Sequence, residues 1–426
     1  MMKVCVVGGG SSYEPELLDG FFTYEKEMNI DEVHLLDVKE GSKKLEIVSE
    51  FAKRMAKKRN SKIKIFSSLD VRDAMLDSDF VIFQFRPGFL DGRERDEKIP
   101  LKYDLIGQET TGMGGFAAAM RGFPLIEEYI EDVRKYAPRA FVINFTNPSG
   151  HMSEFVINYL NFEKFVGLCN IPINLVQYVA DFYNVNREDV FLKYYGLNHL
   201  SFVEKVFVKG KDETQNLLAH AQDALKEEGY PEWVVDVLKM YPNPYLRYYF
   251  MTDTMLSREK EELKAGKLRS MVVKEIEKKL FDIYSDPKTN EKPKELQQRG
   301  GAMYSTAAVE LMRDMVSGRQ RRHILNVKNN GAVSSLPNDY VLEVSCEVVG
   351  KRVFPVSVGE ADPMALGLIH IIKQYERLAI NAYKKHSRSD ALKAILLHPL
   401  GPGLEKAQEF LNEVLKENNG WIENLK

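Results

Sequence analysis

Three consecutive glycines, an aspartate 27 residues after the last of them, and a cysteine and a histidine 30 residues apart are residues whose types and spacing can do chemistry. Gly8, Gly9 and Gly10 directly follow the apolar run Lys3 to Val7 and precede helically spaced apolar residues from Glu14 to Phe22. Glycine there lets the backbone approach a pyrophosphate, and the next helix offers unpaired N–H groups and a dipole that favours its charge. Asp37 ends a second apolar run, Glu32 to Leu36. An acid at that point bonds both ribose hydroxyls and repels a 2′-phosphate, so NAD is preferred to NADP. The fingerprint is incomplete, because Ser11, Ser12 and Tyr13 stand where a third glycine usually lies. By itself the glycine cluster also suits a tight turn in a sheet that binds nothing.

Cys169 and His199 each come just after a predicted strand, which can bring both to the carboxyl edge of one sheet, where open α/β folds bind ligands. A metal held there would polarise a substrate oxygen as a Lewis acid. Ligand softness alone points a thiolate and imidazole pair toward zinc or iron. Taken singly, the cysteine reads first as a buried small hydrophobe and the histidine as a satisfied core residue. His151, Cys5 and Cys346 lack a comparable context and are read as packing.

The elements that must position these residues alternate. Strands are predicted at Lys3 to Val7, Glu32 to Leu36, Ile63 to Phe66, Phe80 to Phe85, Phe141 to Phe145 and Phe165 to Leu168, with helices over Glu14 to Phe22 and Gly41 to Lys58. Alternation of this kind predicts a Rossmann-like, doubly wound parallel sheet. Phe191 to Tyr195 and Phe202 to Val208 read as arms of a mixed sheet, Leu217 to Asp286 as charged helix, and Tyr340 to Val349 with Val353 to Val358 as a hairpin across Gly350 and Lys351. Met364 to Lys385 and Gly403 to Glu417 read as helices. The expected division is a dinucleotide-binding domain over residues 1–200 and a mixed α+β lobe over 201–426 that completes the substrate and metal site.

Lys plus Arg (59) nearly balances Asp plus Glu (62), which argues against a broad nucleic-acid-binding face and for small anions only. No apolar run approaches the roughly 18 residues that cross a bilayer, and the opening residues lack a secretory signal pattern, so a cytoplasmic protein without a membrane role is expected. Three widely spaced cysteines predict free thiols.

Four motifs make the reading specific: Gly8-Gly9-Gly10-Ser11-Ser12-Tyr13-x-Pro15-Glu16-Leu17, Phe145-Thr146-Asn147-Pro148-Ser149, Gly167-Leu168-Cys169-Asn170-Ile171-Pro172 and Gly196-Leu197-Asn198-His199. In this order and spacing the chain resembles glycoside hydrolase family 4, from the first strand to His398-Pro399-Leu400-Gly401-Pro402. That family is the NAD-dependent exception to hydrolysis by two carboxylic acids. The resemblance implies oxidation of the sugar at C3 by NAD, removal of the acidified C2 proton, elimination of the glycosidic oxygen, addition of water and re-reduction. It also implies a divalent ion, usually manganese, on Cys169 and His199, and Tyr245 as the base at C2. Arg93 and Arg269 match arginines near the phosphorylated sugar, and arginine's planar fork suits phosphate. Asn147 matches an asparagine that bonds sugar hydroxyls, and Asn198 is a weaker candidate.

Tyr245 has an ordinary pKa near 10, so the resemblance requires nearby positive charge to lower it; Tyr248 and Tyr249 read as packing. Asn170 cannot donate the acidic proton of the aspartate found there in the α-glycoside branch, which favours a 6-phospho-β-glucoside, either a phosphorylated disaccharide or an aryl glucoside. Gln108 and Glu109 sit in a polar loop that either lines the pocket or only turns. Arg95 either joins a phosphate clamp or pairs with a surface acid. The alternatives are a 6-phospho-α-glucosidase or galacto-configured enzyme of the same family, a simple NAD-dependent 2-hydroxy acid dehydrogenase, and a non-catalytic sensor. A homodimer or homotetramer is expected from the resemblance.

Overall fold

Val4 to Val7, Phe80 to Phe83 and Phe141 to Asn144 are buried at every position, as strands covered on both faces must be. They are three of the thirteen strands in the computed structural model, which describes residues 2–299, 303–422 and 425–426. The strands are β1 (Met2–Val7), β2 (Ile30–Leu36), β3 (Lys64–Ser68), β4 (Phe80–Phe83), β5 (Phe141–Asn144), β6 (Phe165–Gly167), β7 (Val190–Leu197), β8 (Leu200–Val208), β9 (Lys211–Asp212), β10 (Tyr241–Pro242), β11 (Arg321–Lys328), β12 (Val341–Val349) and β13 (Arg352–Pro355).

Nine of them form one sheet in the order β13-β12-β11-β6-β5-β4-β1-β2-β3. The run β3-β2-β1-β4-β5-β6 is parallel throughout. This is the Rossmann-like order, and its direction reverses between β1 and β4, where such sheets open a crevice beyond their carboxyl ends. The antiparallel strands β11 to β13 extend the sheet past β6. The hairpin expected across Gly350 and Lys351 is β12–β13, with Val349 opposite Arg352.

The helices α1 (Glu14–Met28) and α2 (Ser42–Arg59) follow β1 and β2, and the short α3 (Val71–Met75) precedes β4. Between β4 and β5 run α4 (Phe89–Lys102) and α5 (Gly112–Tyr136), after β5 comes α6 (Ser149–Glu154), and after β6 comes α7 (Asn170–Tyr183). Phe21, Phe51, Phe80, Phe83, Phe116 and Phe123, all fully buried, come from both these helices and the strands between them. Each contributes roughly 1.5–3 kcal/mol of burial. The C-terminal helices Pro363–Lys384 and Leu404–Glu417 also fall where their periodicity predicts them. Among the described residues no helix is long and apolar enough to cross a membrane.

One expectation needs correction: the arms around residues 191–208 do not belong to a mixed sheet. β7 and β8 pair as a hairpin in a separate antiparallel sheet with β9 and β10. That sheet is tied to β12 by the Ser345 hydroxyl, which donates to the Leu192 carbonyl at 2.7 Å. β11 had no forecast, because Arg321-Arg322-His323 at its start hides a strand whose buried stretch is only Leu325 to Val327.

Candidate active site

The carboxyl ends of β1, β2 and β4 and the elements beyond them enclose a cleft of about 740 Å³. At one end the backbone turns through Gly8, whose φ is +91° and where a Cβ would stand 2.8 Å from the Phe85 nitrogen. Asp37, half-buried at the end of β2, accepts the Gly10 N–H at 2.7 Å through Oδ2 and the Val38 N–H at 2.8 Å through Oδ1. A Cβ on Gly10 or on Gly41 would lie 2.6 Å from a carboxylate oxygen of Asp37, so both glycines make room for it. Burial raises the Asp37 pKa, against the pull of these two amides.

Of the cofactor residues expected from sequence, Gly8, Gly10, Ser11 and Asp37 line the cleft. Gly9 instead packs on Leu35, and Ser12 is buried, donating to Glu277 at 3.1 Å and accepting from Arg299 Nε at 3.2 Å. The turn and the start of α1 fit a dinucleotide: glycine backbone faces the cleft and the Asp37 carboxylate stands beside it, with acceptor capacity beyond its two amide bonds.

At the other end, Cys169 and His199 meet, with Sγ and Nε2 3.6 Å apart. They come from two sheets, not one. Cys169 follows β6 and precedes α7, whereas His199 sits in the turn between β7 and β8 with a left-handed φ of +65°. A non-glycine residue held there costs of order 1 kcal/mol, which surrounding contacts must supply. A sulfur and a nitrogen bound to one ion at a tetrahedral angle are about 3.5 Å apart. The pair therefore fits two positions on a divalent ion; among the described residues no cluster of three or more His, Cys, Asp or Glu side chains is present.

The imidazole is prepared for that task. Gln108 Oε1 accepts from the backbone N–H groups of Thr110 and Thr111 at 2.6 and 2.8 Å, which fixes it as the oxygen, and the Thr110 hydroxyl donates to it at 2.8 Å. A hydroxyl has one proton. Thr110 Oγ1 must then accept from His199 Nδ1, 2.8 Å away, which leaves Nε2 as the lone-pair nitrogen facing Cys169. Burial lowers the His199 pKa to about 4, so the ring is neutral at physiological pH. Gln108, which the sequence reads either as pocket-lining or as a turn residue, thus selects the tautomer.

Tyr245 lies flat on this ring, with centroids 3.9 Å apart and planes 6° from parallel. Its turn, Pro244–Leu246, is capped by Asn243, whose side-chain oxygen accepts the Tyr245 N–H at 2.9 Å and whose amide donates to Ser201 Oγ at 2.9 Å. That bond ties the tyrosine to β8, just beyond His199. Burial, followed by Tyr248, Glu109 and Cys169, pushes the Tyr245 phenol up, and Arg93 opposes it. The protein's own groups do not supply the lowering that a base requires; cationic charge brought to Cys169 and His199 would.

Asn147, Asn170, Arg93 and Arg269 line the same cleft, whereas Asn198 donates to Glu343 at 3.1 Å. Arg93 is buried, with Nε 2.8 Å from Glu97 and Nη1 3.2 Å from Glu109, while Arg269 is exposed and donates to the carbonyls of Gln298 and Arg299. Arg86, paired with Glu109, and Arg299 join them in the lining and were not anticipated, since an isolated arginine carries no motif. Burial alone would raise the Glu109 carboxyl, but Arg86 and Arg93 outweigh it and hold it at about 2. Burial and the neighbouring Arg86 bring Arg299 down to about 10, a crowding of cations that a bound phosphate would relieve. Cys5, Cys346 and His151 are buried, as their sequence context predicts.

A Rossmann-like sheet whose crevice leads to a thiol, an imidazole, a phenol and an arginine cluster defines a protein of the NAD-binding α/β class. The profile "Family 4 glycosyl hydrolase" matches residues 3–185 and its "C-terminal domain" residues 194–401, and the chain belongs to this family. It is 50% identical, over 99% of both chains, to 6-phospho-beta-glucosidase BglT of Thermotoga maritima. A solved structure of the 6-phospho-beta glucosidase from Thermotoga maritima with manganese, NAD+ and glucose-6-phosphate superimposes with a TM-score of 0.94, at 50% identity over 100% of both chains. Phospho-alpha-glucosidase PagL of Clostridium acetobutylicum is 28% identical over 99% of both chains.

Proposed function

We propose that the protein hydrolyses 6-phospho-β-glucosides with NAD and a divalent metal, manganese being the first choice. The observation that carries this is the convergence of Cys169, His199 and the stacked Tyr245 on the cleft that begins at Gly8, in a chain half identical to a 6-phospho-β-glucosidase. The lower identity to the phospho-α-glucosidase and the amide of Asn170 both favour the β-anomer.

When bound, the dinucleotide supplies a reversible hydride acceptor and the cation a Lewis acid for a sugar oxygen. Gly8, Gly10, Ser11 and Asp37 hold the first, with Gly9 and Ser12 supporting the turn, and Cys169 and His199 hold the second. Arg86, Arg93, Arg269 and Arg299 fix the 6-phosphate, and with it the position of the sugar ring. Asn147 and Asn170 hydrogen-bond its hydroxyls. Tyr245 Oη receives the C2 proton once that carbon has been acidified, and the glycosidic oxygen leaves by elimination. Functionally, residues 1–200 bind the dinucleotide and residues 201–426 complete the sugar site. The protein acts in the cytoplasm as a homodimer or homotetramer.

The test is release of nitrophenol from its 6-phospho-β-glucoside, its 6-phospho-α-glucoside and the unphosphorylated β-glucoside, each with and without NAD and manganese under reductant. Release from the first alone, dependent on both additions, is expected. Release from the α-anomer would overturn the anomer assignment, and net NADH formation would favour a dehydrogenase.

A further inference from the structure

Among the described residues, Arg95 joins neither a phosphate clamp nor a surface acid. Its Nε donates to Asn418 Oδ1 at 3.3 Å, and Arg121 Nη1 donates to the same oxygen at 2.9 Å. Arg121 is itself fixed by Asp96, with Nη1 2.7 Å from Oδ1. Asn418 is fully buried; its amide donates to the Val414 carbonyl at 2.8 Å, and its own carbonyl accepts the Trp421 N–H at 2.9 Å. Just beyond, Ile422 is buried in the main core. The C-terminal tail is therefore anchored on both sides of Trp421. Yet Trp421 is 38% exposed, and it lines the cleft. An indole carries a large apolar surface, and leaving it open between two fixed residues forgoes burial the fold had within reach.

The half of the cleft it faces follows from α5. Arg121, Leu125 and Tyr129 are spaced four residues apart and share one face of that helix. Arg121 holds the tail, while Leu125 and Tyr129 line the cleft. Tyr129 packs on Phe85 at 5.1 Å and feels the charge of Asp37. This stripe leads from the tail's anchor to the end of the cleft built around Gly8, Gly10 and Asp37.

We propose that Trp421 stacks on the purine ring of the dinucleotide, making the C-terminal tail an outer wall of the cofactor site, with Arg95 as the residue that positions it. The proposal rests on the NAD reading above. Aromatic rings that stack on a base strengthen binding by roughly tenfold or more when compared with alanine.

The sequence has two tryptophans, and the other, Trp233, is 60% exposed. In full-length Trp233→Phe protein, Trp421 is the sole indole reporter. Its emission should respond to NAD and to ADP-ribose, and not to nicotinamide mononucleotide or glucose 6-phosphate. By calorimetry, Trp421→Ala should weaken NAD and ADP-ribose about tenfold and leave glucose 6-phosphate unchanged, while Trp421→Phe keeps most of the affinity. Arg95→Ala should give a smaller loss and a smaller emission change. Equal NAD affinity in wild type and Trp421→Ala would overturn the proposal, as would an indole that answers to glucose 6-phosphate but not to ADP-ribose. If the wild type itself binds no NAD, the cofactor reading falls with it, and the two failures are thereby told apart.

Discussion

At the dinucleotide end of the cleft, the residues that shape the loop lie between Gly8 and Gly41, and they are held mostly by one another's backbone: the Gly8 and Gly9 amides on the Leu36 carbonyl, the Gly10 amide on Asp37. At the metal end, Thr110, Cys169, His199 and Tyr245 come from four separate stretches of chain and two sheets, and side chains hold them together. The first end is local geometry, set by the absence of Cβ atoms. The second is a constellation that exists only when the whole fold is assembled, with Gln108 supporting Thr110 and Asn243 supporting Tyr245.

The contrast predicts that the two ends fail separately. Tyr245→Phe should lower kcat by about 10²–10⁴-fold, as loss of a general base does. Cys169→Ser should abolish manganese-dependent turnover. In both variants NAD affinity, measured by calorimetry, should stay at the wild-type value, and a parallel loss of NAD binding would show the ends to be coupled. Gly10→Ala should do the reverse. Its Cβ would meet Asp37 Oδ2 at 2.6 Å and the Leu45 nitrogen at 3.0 Å, and relieving such a clash typically costs about 1–3 kcal/mol. NAD affinity should fall about tenfold or more, while manganese affinity, read by paramagnetic resonance, holds.

Gln108→Ala frees the Thr110 hydroxyl to donate to His199 and so places the ring proton on Nε2. Supporting bonds of this kind are worth about 10–100-fold in metal affinity. Gln108→Glu, which keeps an acceptor for Thr110, should restore most of it, and equal losses in the two variants would remove the tautomer argument. The smallest effect is expected at Glu259, which accepts the Gly107 N–H at 2.7 Å in the loop that leads to Gln108. Burial raises its carboxyl from an ordinary 4.5 to about 7. The folded protein thus keeps a proton that the unfolded chain releases above about 4.5, so the stability this group contributes is present below that pH and is lost as the pH rises through about 7. Glu259→Gln should flatten this part of the pH dependence, by about 1–3 °C in Tm between pH 5 and pH 8.

The same contrast explains what was legible before the structure. The first two strands, α1 and α2, and the Gly8 to Asp37 site could be read directly, because hydrophobic period and glycine placement are properties of neighbouring residues. Cys169, His199 and Tyr245 carry no periodic signal, and only their surrounding motifs singled them out. Nothing in the sequence marks Arg86 or Arg299 as lining the cleft, or Thr110 as the partner of His199, because those contacts are made by the topology. Assigning Cys169 and His199 to one sheet failed for the same reason: two predicted strand ends do not say which sheet each strand joins.

The pairing of β6 with β11 has a consequence during synthesis. Gly167 and Asn326 face each other across this seam, and the Asn326 side chain donates to the Gly167 carbonyl at 3.2 Å. A ribosome adding about 5–20 residues per second takes roughly ten to thirty seconds to travel from one strand to the other. For that interval the parallel sheet has an open edge at β6, and an unpaired edge is a template for another chain. Nascent chains of this protein should therefore expose a pairing edge at β6 until β11 has been synthesised.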